Sequence, residues 1–511
     1  MSRYQIGVLK IREEINNKLK NLKEKVQKSN MTKTQKAIEL LENISEETII
    51  DQDNTIYVAL KIDDHRKLLN LKSENFKKIL QAKYYQLTDE TISSSSISEI
   101  IQLYSGNAIL NSSKVKMNLR VAGNDKSIYY DLGNSKWEVI EISPGNWKKI
   151  SSENSSVYFK RYSHMKEQIE PLYKSNDKGD PKKILDYLNI ENESDEAILL
   201  LTYMASLFIP KIVHPILILL GPHGSAKSTM FRLIQRIVDP TETEVLNIPT
   251  NTEEYIQKTA HSWLSFYDNV AKISRNLSDA MCRTVTGGSH NKRELFSDDE
   301  DFIHKFKHCV GINGIQFKKL QPDLLDRSII LNMDQITGKS RKLEINLMDN
   351  FEDYRRIIFT GFLNLIAEAM EIVDDIDLNR VVLPRLADFY KWGIAFAKVL
   401  GYGQQKFERA FNLNNAAAPD LISQQKSIIK VVDKYLNDND KWSGTASELR
   451  SELIKFANDN DMNSNIIPDS PEWLSREINK YSKGNILKKI GIEFNKKRSN
   501  SKRLIEFSKT V

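Results

Sequence analysis

Pro215-Ile-Leu-Ile-Leu-Leu220, running into Gly221-Pro-His-Gly-Ser-Ala-Lys-Ser-Thr229, is the stretch on which the reading of this chain turns. An unbroken apolar run suits a strand buried on both faces of a parallel sheet. The nine residues after it follow the pattern G-x-x-x-x-G-K-[ST], with Ala226 where the second glycine would stand. Met230, Phe231, Ile234 and Ile237 then repeat at helical spacing as far as Asp239-Pro240, so strand, glycine-rich loop and helix follow in order. In that context backbone N–H groups from His223 to Lys227 point at phosphate oxygens, and the helix presents its N-terminus to them. Gly221, Gly224, Ser225, Ala226, Lys227, Ser228 and Thr229 are the expected contacts to ATP. Lys227 reaches the β- and γ-phosphates and Ser228 coordinates Mg2+. The Ala226 methyl is tolerable there if its backbone is right-handed.

Working outward, Trp263-Leu-Ser-Phe-Tyr-Asp268-Asn269 reads as a second strand, ending in a carboxylate 41 residues after Lys227. Asp268 is the expected metal-side carboxylate. Asn269 stands where a water-polarising glutamate is common; an amide orients water but accepts no proton. Cys309-Val-Gly-Ile-Asn313 is a strand ending in a polar side chain suited to the γ-phosphate or the attacking water. Arg327 opens a further apolar strand, Ser328 to Leu331. Its planar fork suits a finger inserted into a neighbouring subunit's site, the other reading being a structural Arg–Asp pair. Arg385 is a candidate second phosphate sensor from a helical lid.

The remainder sets the frame. With 511 residues, 40% apolar and 28% charged, the composition is that of a multidomain globular protein. The longest apolar stretch, Ala197 to Ile209, is too short to span a bilayer and reads as a buried helix. The N-terminus is charged from the start, and Cys282 and Cys309 are the only cysteines. A secretory signal, a disulfide framework and a cysteine zinc site are therefore not expected, and a cytoplasmic location is. Net charge is +6, and Ser470 to Val511 alone hold 11 Lys or Arg against 4 acids. A basic tail on a near-neutral body points to a polyanion or, alternatively, to a solvated lysine-rich surface.

The expected organisation is multidomain α/β. Residues 1–50 form a helical N-terminal segment with a stripe at Val8, Ile11, Ile15, Leu19, Leu22 and Val26. Residues 51–170 form a strand-rich domain with a serine-rich loop at Ser93 to Ser96 and a strand from Val115 to Val121. Residues 171–196 are a linker, 197–400 the nucleotide-binding domain with its lid, and 421–511 a winged-helix-like domain. In the last, Leu474, Ile478 and Tyr481 make the apolar face of a helix. A basic loop from Asn495 to Lys502 joins two strands and carries Lys496, Lys497, Arg498, Lys502 and, just beyond it, Arg503. Such a wing lies along a phosphate backbone.

The loop together with Tyr267-Asp-Asn269, Thr286-Gly-Gly288, Arg293-Glu-Leu-Phe-Ser-Asp298, Gly311-Ile-Asn-Gly314 and Asp323-Leu-Leu-Asp-Arg327 resembles the AAA+ P-loop NTPase domains of helicases and primase-helicases from plasmids, phages and integrated mobile elements. That group is similar in organisation to superfamily 3 and minichromosome-maintenance helicases. The resemblance is specific from about Ala197 to Trp392. It implies a homo-oligomeric ring, usually a hexamer, with ATP between subunits. It also implies a β-hairpin between about Lys292 and Lys307, turning near Asp298 to Asp301, whose basic residues grip DNA. Lys292, Arg293, Lys305 and Lys307 are the candidates. No primase signature stands upstream, so a separate primase or polymerase is the expected kind of partner. The function implied is an ATP-dependent DNA helicase or translocase for replication of a mobile element. A DNA-bound nucleotide switch or loader that remodels partners without unwinding is the alternative that Asn269 leaves open.

Overall fold

A computed structural model describes residues 31–509, apart from 63–64, 174–178, 294–300, 306, 316, 318–319, 337–343, 379–382, 423–427, 461, 463, 465–466, 484–485 and 500–501. The apolar stripe from Val8 to Val26 lies outside the described residues. Two compact units divide the chain: Met1–Ser143, Trp147–Gln168 and Ser289–Lys305 form one, and Pro144–Asn146, Ile169–Gly288 and Phe306–Val511 the other.

The first unit opens with helix α1 (Lys33–Ile44), then strands β1 (Ser45–Ile50), β2 (Ile56–Ile62) and β3 (His65–Asn70), and helices α2 (Glu74–Thr88) and α3 (Ser94–Asn111). The three strands make an antiparallel sheet. Leu40, Leu41, Val58, Leu60, Phe76, Leu80, Tyr84 and Ile100 share one buried cluster between sheet and helices. Two readings change here. The helical segment stops at Ile44, and two helices occupy the first half of the expected strand-rich domain. Ser93 to Ser96 is no loop either: the Ser93 hydroxyl accepts from the Ser96 N–H at 3.2 Å and caps α3, as N-cap serines do.

The chain continues through β4 (Met117–Asn118), β5 (Val121–Gly123), β6 (Ile128–Asp131), β7 (Glu138–Ser143), β8 (Asn146–Ser151) and β9 (Tyr158–Phe159). The single strand expected from Val115 to Val121 is broken at Arg120, which is fully buried with φ at +50°. Its guanidinium donates to the carbonyls of Asp131 at 3.1 Å and Lys166 at 2.9 Å. Satisfying a buried cation takes precedence over continuing the ladder.

In the second unit, part of the expected linker is packed structure, a 3-10 helix at Pro181–Tyr187 with Ile184 and Leu185 buried. Helix α4 (Asp195–Ser206) is buried on every side from Ala197 onward. Then come β10 (Ile216–Leu220), α5 (Lys227–Val238), β11 (Leu246–Asn247), α6 (Thr252–Thr259), β12 (Leu264–Asp268) and α7 (Arg275–Thr286). The hairpin of β13 (Ser289–Arg293) and β14 (Asp301–Lys305) belongs to the first unit. The chain returns as β15 (Cys309–Gly314), α8 (Pro322–Leu325), β16 (Ser328–Asn332), α9 (Glu344–Ile372), α10 (Ala387–Val399) and α11 (Gln404–Ile422).

The central sheet runs β11-β12-β15-β10-β16 and is parallel throughout. Strand β12 is pinned at its start by Asp239, whose carboxylate accepts the N–H groups of Trp263 and Leu264 at 3.1 Å. The open side of edge strand β16 is covered by Asn414 on α11. Its amide accepts from the Ile330 N–H at 3.0 Å and donates to the Ile330 carbonyl at 2.6 Å, a side-chain answer to an unpaired edge.

The C-terminal part comprises α12 (Ile428–Asp438), β17 (Lys441–Gly444), α13 (Ala446–Asp459), α14 (Pro471–Lys483), α15 (Ile486–Lys489), β18 (Ile492–Ser499) and β19 (Lys502–Lys509). Its antiparallel sheet has the order β17-β19-β18. Leu474, Ile478 and Tyr481 of α14 face its core. The basic stretch expected as a loop is mostly ladder, paired without a break to Ser499 opposite Lys502.

Candidate nucleotide site

The carboxyl ends of parallel strands are where open α/β sheets receive ligands, and here three of them converge. Gly221 leaves β10 beside β16: a Cβ on it would lie 2.3 Å from the Met333 carbonyl oxygen and 2.8 Å from the Ser225 hydroxyl. Only glycine fits that approach. Helix α5 begins at Lys227 with no side-chain cap, which leaves first-turn N–H groups for an anion. The Lys227 ammonium folds over the loop, donating to the carbonyls of Gly221 at 2.8 Å and Pro222 at 2.7 Å and to the Ser225 hydroxyl at 3.1 Å. Burial lowers its pKa, with the Asp268 charge opposing. Gly224 ties the loop to the segment after β16 by accepting the Ile336 N–H at 3.3 Å. Thr229 lies in the first turn of α5, half-buried.

Ala226 departs from the expected geometry. Its φ of +60° and ψ of +24° are left-handed, so the methyl group occupies a conformation that costs an L-residue about 1 kcal/mol or more.

Asp268, at the end of β12, accepts the Ser228 hydroxyl at 2.9 Å. A hydroxyl and a carboxylate brought together, both half-buried, are hard oxygen donors of the kind Mg2+ takes alongside water and phosphate. Asn269 follows in a left-handed turn, φ +51°, with its side chain outermost. Its N–H donates to the side-chain oxygens of Asp268 at 2.9 Å and Asn313 at 2.8 Å. Asn313 is 1% exposed, and its Nδ2 has no hydrogen-bond partner. A buried amide donor left open at the strand ends is costly unless a ligand completes it. Lys227, Ser228, Asp268, Asn269 and Asn313 thus lie at one edge of the sheet.

Arg327 and Arg385 do not join them. The Arg327 carbonyl accepts the Ile216 N–H at 2.8 Å, which puts Arg327 at the amino end of β10, roughly 13 Å of strand from the loop. Its guanidinium pairs with Asp323 and donates to the Asp323 carbonyl at 3.0 Å. Arg385, expected over the phosphates, instead pairs with Asp323 at 2.6 Å and Asp326 at 3.6 Å. Asp323, already part of the Asp323-Leu-Leu-Asp-Arg327 motif, makes the Arg–Asp pair weighed as the other reading of Arg327, but nothing in the spacing announces that positions 323 and 385 meet.

Of the basic candidates, Lys292 and Arg293 are on β13 and Lys305 on β14, in register with Phe302, Asp301 and Ser289 in turn. The expected hairpin is formed, beginning at Ser289; its turn from 298 to 300 lies outside the described residues. Lys307 follows the hairpin and donates to the Lys211 carbonyl at 2.9 Å. On β18, Lys496 donates to the Ser475 hydroxyl at 3.1 Å and Lys497 pairs with Glu506 at 2.9 Å. Arg498 is on β18 and Lys502 and Arg503 on β19, their side chains outside the described residues. Among the described residues no helix is long and apolar enough to cross a membrane.

Residues 182–411 match the family model described as the actinomycete integrative conjugative element replication protein, and residues 427–511 match that of the AICE RepA C-terminal domain. The chain is thus similar, over both stretches, to a replication protein of mobile elements. No curated protein matches it. Solved structures that match include SCCmec type IV Cch, described as an active helicase, at 10% identity and a TM-score of 0.39 over 91% of this chain and 93% of that one. The NrS-1 C-terminal region matches at 11% identity and 0.36 over 91% and 96%, and the JCV helicase at 12% and 0.20 over 44% and 66%. All three TM-scores are below 0.5, so the reading of the site rests on its own geometry.

Proposed function

We propose that this chain is an AAA+ ATPase of mobile-element replication, a DNA helicase or translocase that binds ATP at the carboxyl edge of its central sheet and works as a homo-oligomeric ring. The observation that carries the reading is the convergence of Lys227, Ser228 bonded to Asp268, and the open amide of Asn313 at that edge. In this reading Lys227 leaves the loop carbonyls for the β- and γ-phosphates, and Asn313 donates Nδ2 to the γ-phosphate or the attacking water. Ser228 and Asp268 would hold Mg2+, which would withdraw charge from the phosphate oxygens. Arg327, too far along the sheet to serve its own loop, would serve a neighbour's. The helix-strand-helix-helix-helix-strand-strand order of residues 428–509, with its basic β18, supports a winged-helix reading and a DNA contact.

Purified protein should hydrolyse ATP faster with DNA and separate a forked duplex. Lys227→Ala should abolish both, and Arg327→Ala should keep nucleotide binding while losing at least 10-fold in turnover. Normal hydrolysis by Arg327→Ala would remove the finger from the mechanism. Asn269 favours one second reading, a nucleotide switch or loader: its exposed amide takes no proton. ATP-dependent assembly without strand displacement would select it.

A further inference from the structure

We propose that Asp323 is a positioning residue that yokes Arg327 and Arg385 into one two-guanidinium unit, offered to the triphosphate of a neighbouring copy; this rests on the ATPase reading above. Both forks meet on one carboxylate, Arg327 on Oδ2 and Arg385 on Oδ1, the latter at 2.6 Å, while the other Arg385 nitrogen lies 3.6 Å from Asp326. The two arginines are 58 residues apart in sequence, one beside β16 and one just before α10, and Asp323 joins them. The Cys282 thiol is a third donor to the same group. Burial pushes that thiol up to about 12, so it stays protonated and keeps donating. With both oxygens engaged from three sides, the Asp323 carboxyl is held below its ordinary pKa, first by the Arg327 hydrogen bond, and stays charged at neutral pH.

Location decides what the pair can meet. The loop lies at the other end of β10, roughly 13 Å away by strand rise, beyond the length of an arginine side chain. A phosphate reached from here belongs to another molecule. The cluster is also open: the side chains of Arg385 and Asp323 are 47% and 45% exposed, while that of Arg327 is 15% exposed. Exposed ion pairs are weak and screened, so triphosphate oxygens can displace Asp326 from Arg385 and meet the exposed part of Arg327. The inner faces of both forks stay on Asp323. A structural pair closing a surface needs one arginine; two planar forks on one carboxylate present a wider set of donors suited to bridging phosphate oxygens.

Subunit mixing separates this role from a purely structural one. Asp323→Asn keeps the shape and removes the charge. It should lower kcat for ATP at least 10-fold with KM changed less than 3-fold, and Asp323→Glu should restore part of the rate. Mixed with Lys227→Ala protein, Asp323→Asn should regain turnover above either alone, because an intact loop from one subunit then faces intact arginines from the other. Arg385→Gln should behave the same way in the mixture. Loss of rate with no recovery on mixing, or an unchanged kcat, overturns the role of Asp323. Failure of the ATPase reading looks different: the unmutated protein shows no turnover at all.

Discussion

Position 226 is where the side chain and the backbone disagree. A glycine would adopt φ +60° without strain, whereas the residue here is an alanine whose methyl group must be carried in that conformation. Replacing Ala226 by Gly should relieve about 1 kcal/mol in the folded state. Part of that is returned because glycine frees the unfolded chain. The net expectation is a gain of about 0.5 kcal/mol in urea unfolding, with ATP affinity retained or improved. A loss of stability would mean that the methyl makes favourable contacts that outweigh the backbone cost. Asn269, also left-handed, makes the opposite case. Asparagine tolerates this conformation better than glutamate does, so the backbone of this turn accounts for an amide at that place as readily as a change in chemistry would.

At the scale of elements, the connection between α4 and β10 is closed by one histidine. His214 is fully buried, its Nε2 donating to the Ser206 carbonyl at 3.0 Å and its ring edge-on to Trp263 at 5.6 Å. Burial, then the positive charge of Lys307, pushes its pKa from 6.5 down to about 3. Below pH 6.5 the unfolded chain binds a proton that the folded chain refuses, so stability is full above that pH and falls as pH drops towards 3. His214→Gln retains a donor for Ser206 without a titrating ring. It should flatten the acid limb by up to about 1.4 kcal/mol per pH unit, as read by thermal melts from pH 7 to pH 4. An unchanged slope would assign acid sensitivity to other groups. The same scale shows what was legible in the sequence. Strands β10, β12, β15 and β16 declared themselves because strands buried on both faces must be apolar. Helices α2 and α3 did not, although Phe76, Leu80, Tyr84 and Leu87 lie at helical spacing, because polar residues and serines between them resemble loop. The second half of β18, Asn495 to Ser499, was hidden for a related reason: a ladder needs only backbone, and a lysine-rich segment carries no apolar alternation to reveal it. The Asp323 cluster depends on folding alone.

For the molecule as a whole, the excess positive charge and the candidate nucleotide site lie in different parts of the sequence. The region from Ser470 to Val511 carries more than the entire net charge of +6, and the loop at Gly221 to Thr229 sits elsewhere in the chain. On the function proposed above, ATP turnover and polyanion affinity would draw on different residues, which makes them separable by salt. Within the basic region Lys496 and Lys497 are exposed on a strand, not on a free loop, so their side chains project to opposite faces of β18. Only one of the two can then lie flush against a given duplex. Lys497, bound to Glu506, must exchange a carboxylate for a phosphate, whereas Lys496 exchanges the neutral Ser475 hydroxyl and leaves the face of the Phe494 ring, 5.7 Å away. Lys496→Ala should thus reduce the slope of log affinity for duplex DNA against log salt by about 0.9, one counterion's worth. Lys497→Ala should change it by less than half of that. Equal effects would mean that the strand twists to bring both to the backbone, and no effect from either would move the DNA contact off β18.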